Sequence, residues 1–228
     1  SDGDYLGSGE DATGTAPNVG RFVPADFAVS VRDRGMYEAV CDGSFSYVGE
    51  PFGYTGAPML NVTARNASTD TTRNYRNDFI KLQADEINID PPATDASATS
   101  NVGGDKDVAV TTSLNNGTVK DAEDGDPADN GVLVYTFDSG DSYTYDKVHN
   151  ARIDAFTADL PVEVVGINEI DDGVTDGSLP GSNPFTPTGA EIRFGRLVID
   201  DAFGPEIAPV EQRWAIEYRK DSNWALNK

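Results

Sequence analysis

The chain has 228 residues, 39 of them Asp or Glu against 17 Lys or Arg, for a formal charge of −22. That field repels nucleic acid and anionic lipid, so a polyanion-binding role is excluded. It also keeps a surface hydrated where salt screens self-repulsion, which suits a salty extracellular setting.

Hydrophobic residues make up only 38%, yet 9 Tyr, 10 Phe and 2 Trp carry large burial on few positions. A core is therefore feasible, either as one large sandwich or as two of about 100 residues. No run of 18 apolar residues occurs, so no membrane span is expected. Ser1 is not followed by a charged region and an apolar core, so any leader is expected to have been removed or to lie upstream. Cys41 is the single cysteine, which rules out a disulfide within this sequence. It pairs outside the segment or is a buried free thiol.

Residues 1–18 are Gly, Ser, Asp and Thr with almost no apolar content, the composition of a linker from an upstream segment. The folded domain is expected over 19–228. Period-two alternation then predicts strands at 27–31, 45–48, 60–65, 108–114, 132–137, 142–145, 151–157, 162–165, 191–199 and 213–219. Asp138-Ser139-Gly140-Asp141 reads as a hairpin turn between two of them. Residues 79–87 predict a helix of two turns, and 90–100, polar and led by Pro91-Pro92, a long connection. The acidic loop 119–131 divides the chain, with 19–118 and 131–228 as two packed halves in one arrangement. The expected class is all-β: a β-sandwich, immunoglobulin-like or jelly-roll-like.

Carboxylates form the chemically suggestive clusters. Asp121, Asp124, Asp126 and Asp129, with Glu123 among them, make one; Asp171, Asp172 and Asp176 make the other. Flexible acidic loops with Gly can wrap calcium, the one cofactor such groups would hold, although neither has EF-hand spacing. The competing reading is a solvated loop, expected by chance in so acidic a chain. Nucleophilic triads need an imidazole, and His149 is the sole histidine. Zinc lacks its usual N/S ligands and phosphate-binding glycine loops are missing, so no catalytic residue is assigned. Arg21, Arg193 and Arg196 read as clamps tying strand ends or carboxylates together. Tyr47, Phe52, Tyr54 and Tyr75 either face the core or stack on sugar rings.

Two Gly-Arg signatures, Gly20-Arg21-Phe22-Val23-Pro24 and Arg193-Phe194-Gly195-Arg196-Leu197-Val198-Ile199-Asp200-Asp201, enclose Cys41 to Phe52 (CDGSFSYVGEPF), Leu60 to Ala67 (LNVTARNA) and Thr72-Arg73-Asn74-Tyr75. In this order the set resembles a domain near the C-terminal end of MshQ-like proteins of the mannose-sensitive haemagglutinin type IV pilus system. The resemblance spans residues 19–228 and implies a cell-surface, extracellular address. The expected function is a non-enzymatic module of a pilus-associated or surface-displayed adhesin. It would act in attachment or assembly with other surface or pilus proteins or by self-association. The alternative is a carbohydrate-binding module, or a glycoside hydrolase using two carboxylates such as Glu50 with an Asp, with glycans as ligands.

Overall fold

The computed structural model describes residues 23–42, 44–100, 106–122, 130–148, 152–176, 184–207 and 209–227. The linker stretch, Arg21 and His149 lie outside them. In chain order the strands are β1 (Asp26–Asp33), β2 (Met36–Tyr37), β3 (Phe45–Tyr47), β4 (Tyr54–Gly56), β5 (Met59–Arg65), β6 (Ile87–Asp90), β7 (Thr94–Ser100), β8 (Lys106–Ser113) and β9 (Thr118–Asp121). There follow β10 (Val132–Thr136), β11 (Ser142–Tyr145), β12 (Phe156–Thr157), β13 (Glu163–Glu169), β14 (Val174–Thr175), β15 (Glu191–Arg193), β16 (Gly195–Ile199), β17 (Trp214–Lys220) and β18 (Asn223–Leu226). The class is all-β, a sandwich of mostly antiparallel sheets, and no helix among the described residues is long and apolar enough to cross a membrane.

Two apolar clusters form the core. In the first, Phe27, Leu60, Val62, Leu133 and Tyr135 of the sheet β1-β5-β10-β9 meet Ile87, Val164, Ile167 and Val174 of the sheet β14-β13-β6. In the second, Tyr143, Tyr145 and Val108 of the sheet β11-β8-β7 meet Ile192 of the sheet β12-β15-β3, with Tyr37 and Phe52 between. Tyr54 packs against both clusters; its ring lies 6.3 Å from Phe137 and 5.5 Å from Tyr37. Strands from both sides of 119–131 share sheets: β10 pairs with β5, β13 with β6, β11 with β8, and β15 runs parallel to β3. Residues 19–118 and 131–228 are therefore interleaved rather than two packed halves.

Three local expectations are corrected. Residues 79–87 form no two-turn helix; 3-10 turns occupy Asn77–Phe79 and Ala84–Glu86, with extended backbone at Ile80 and Gln83. The buried Tyr75 hydroxyl accepts the N–H groups of Lys81 and Leu82 at 3.0 and 2.9 Å, holding that backbone away from a helical ladder. So short a segment cannot repay helix nucleation on its own.

Residues 94–100, read as a connection, are strand β7. The polar Asp95 is wholly buried there because its carboxylate accepts the Tyr145 hydroxyl at 2.5 Å, the Asp159 N–H at 3.0 Å and the Ser97 N–H at 2.7 Å.

Asp138–Asp141 is a turn but no hairpin. β10 and β11 belong to different sheets, so the turn carries the chain from one core cluster to the other. A hairpin's positive φ at Gly140 is not used.

Candidate functional site

Among the described residues, the acids singled out in the sequence do not assemble a metal site. Asp124, Asp126 and Asp129 lie outside the described residues. Asp121 ends β9, and its Oδ2 accepts the Asn77 N–H at 3.0 Å. Asp171 and Asp172 are exposed in the turn between β13 and β14, whereas Asp176 is half-buried and faces the Ile167 N–H, 3.4 Å away. That turn is organised by two glutamates the sequence did not flag: buried Glu169 accepts the Asp172 N–H, and Glu86 accepts that of Ile170 at 2.9 Å. Among the described residues no three acids, histidines or cysteines come together as a metal-binding group. Residues 171–176 thus hold an exposed turn pinned from beneath by Glu169 and Glu86.

Nucleophilic chemistry finds no better footing. Cys41 Sγ lies 3.5 Å from Glu50 Oε2, an oxygen that also accepts the Tyr47 N–H at 3.2 Å. Burial pushes the thiol pKa up, with the Glu50 contact adding to it, so at neutral pH the sulfur keeps its proton. The aromatics offered as sugar platforms are mostly core: Phe52 and Tyr75 are buried, and Tyr54 bridges the two clusters.

Two features remain. One is a half-open cavity of about 220 Å³ whose lining includes Asp85, Asn88, Leu114, Asn115, Phe137 and Asp141. Asp141 is buried, and desolvation raises its carboxyl from the ordinary 3.8 to about 6, tempered by the Asn115 N–H it accepts at 2.7 Å. The sequence placed Asp141 in a turn and gave no sign of its burial.

The other feature is the sheet β16-β17-β18. Arg193 fixes it to the body. Its guanidinium sits between the rings of Phe45 and Tyr218, 3.9 and 4.3 Å from their centroids, and bonds Glu191 and Asn227. Gly195 follows because Tyr47 leaves no space; a Cβ there would stand 2.5 Å from the ring. Two of the arginines expected to clamp do so, since Arg196 pairs with Glu217 at 2.7 Å and stacks 3.8 Å above Trp224.

Arg196, Glu217 and Trp224 thereby cover one face of this sheet. The register places Leu197 opposite Ile216 and Ile199 opposite Trp214 on the other face. All four are exposed, at 60, 38, 58 and 66%. Leu197, Ile199, Gln212 and Trp214 line a shallow groove of about 350 Å³ there. β16 is also the outer strand of its sheet, and among the described residues no strand pairs with its far side. The alternation of 191–199 was legible as strand. Ile192 and Phe194 are buried, whereas beyond Gly195 Leu197 and Ile199 are exposed.

A family model described as DUF6701, third domain, matches residues 1–192. The chain belongs to the DUF6701 family. No curated protein and no solved structure compared with it matches. The third-domain match of DUF6701 ends at Ile192 in β15, so the open sheet β16-β17-β18 lies beyond it.

Proposed function

We propose that this DUF6701 chain is a non-enzymatic extracellular module of a surface-displayed or pilus-associated adhesin, acting in attachment or surface assembly through protein contacts. The observation that carries this reading is the exposed apolar face of β16 and β17 beside a strand edge that no strand among the described residues pairs with. A contiguous apolar surface and an open edge are costly in water and invite association, so soluble proteins keep them where a contact is made. The surface setting comes from the resemblance of the Gly-Arg signatures to pilus-associated domains, and the charge of −22 suits it.

Producing cells carrying Leu197→Asp should attach or retain the protein at their surface less than wild type, while the purified variant keeps its denaturation midpoint. Unchanged attachment and retention would refute the reading.

The cavity beside Asp141 favours a second reading, a sugar-binding module: asparagine and aspartate side chains on an apolar floor suit hydroxyl-rich ligands. Glycan binding that Asn115→Ala removes and Leu197→Asp spares would select it.

A further inference from the structure

We infer that the outer edge of β16 accepts an extended segment of another protein, whose alternating apolar side chains stand beside Leu197 and Ile199 and extend the apolar face they share with Trp214 and Ile216, and whose other residues are Lys or Arg. This rests on the docking reading above and names the partner's chemistry. Strand addition to an open edge draws affinity from main-chain hydrogen bonds and specificity from alternate side chains. β16 supplies both requirements: no strand among the described residues pairs with its outer edge, and its outward residues Leu197 and Ile199 stand two apart on one face.

Charge decides the occupant. The connection from β16 to β17, residues 200–213, holds Asp200, Asp201, Glu206 and Glu211, with Arg213 as its one cation. These acids are exposed, as are Phe203, Ile207 and Val210 among them. An apolar strip that ends in an acidic, apolar loop complements a basic amphipathic strand and repels anionic lipid. A second copy of this chain would bring another −22 to the same contact. Complementary charge lets the partner approach and fixes its register, while burial of the strip supplies the attraction.

The test titrates the whole chain with a ten-residue peptide alternating valine and lysine, and with its valine–glutamate counterpart. Binding is read by calorimetry and its place by amide hydrogen exchange at Gly195–Ile199. The lysine peptide should bind at least about tenfold more tightly than the glutamate peptide, weaken with added sodium chloride, and slow exchange in β16. Leu197→Asp should abolish this. Glu206→Gln with Glu211→Gln, confined to the exposed loop, should weaken it several-fold without touching the core.

Equal binding of the two peptides, or none, overturns the assigned partner chemistry; the docking reading is then judged separately by the attachment assay. Binding without slowed exchange in β16 overturns strand addition. A dimer in sedimentation that Leu197→Asp dissolves makes the occupant a second copy and overturns the proposal.

Discussion

Strands β5 and β17 are both seven residues long, alternating, and central in their sheets, yet they meet opposite fates. β5 buries Leu60, Val62 and Ala64 against β13 and β6, so each alternate side chain lies in the first core cluster. β17 presents Trp214 and Ile216 outward with no second layer over them among the described residues. The difference shows that period-two alternation fixes which side chains share a face, while a second sheet decides whether that face becomes core. Among the described residues, the sheet β16-β17-β18 is half of a sandwich.

The contrast can be broken by substitution. Phe52→Ala in the second core cluster should cost about 3–5 kcal/mol by denaturant titration, because the ring is buried and stacks on Tyr145 at 5.7 Å. Tyr145→Phe should cost about 1–3 kcal/mol, since it strips a 2.5 Å hydrogen bond from the buried Asp95.

Asp141→Asn should act through pH. Because the folded carboxyl is raised from 3.8 to about 6, the native state holds that proton more tightly than the unfolded chain does. The stability this contributes is complete below the unfolded value and is lost as pH rises through about 6. Wild type should therefore lose stability relative to the Asn variant between about pH 4 and 6, on the order of 1 kcal/mol once water in the open cavity screens the charge. Parallel melting curves across that range would show the carboxyl to be solvated. The smallest effect belongs to Leu197→Ala, within about 0.5 kcal/mol of wild type, because that side chain is exposed. A loss comparable with that of Phe52→Ala would place Leu197 in a core.

The all-β class was legible because alternation over four to seven residues recurs between Gly, Pro and Asp clusters, and most strands fall where it does. β7 was missed because its polar residues are satisfied from afar, Asp95 by Tyr145 and by the Asp159 backbone. The 79–87 stretch looked helical by pattern, but the Tyr75 hydroxyl that captures its amides comes from outside the window. The site was less legible than the fold. Acid clusters stood out by composition, whereas Asp141 and the open face of β16 are defined by what surrounds them in space. Arg193 and Arg196 could be read as clamps because cations are scarce in this chain; their partners Phe45, Tyr218 and Trp224 could not.

Amide hydrogen exchange on the chain alone tests the open sheet most directly, since protection reports the opening free energy of each segment. β5 and β10 should exchange only by global unfolding, while the β16 amides exchange orders of magnitude faster, through local opening of an edge that no described strand pairs with. Protection of Gly195–Ile199 equal to that of Met59–Arg65 would mean that the face is covered within the molecule itself, and would contradict the claim that it awaits a partner.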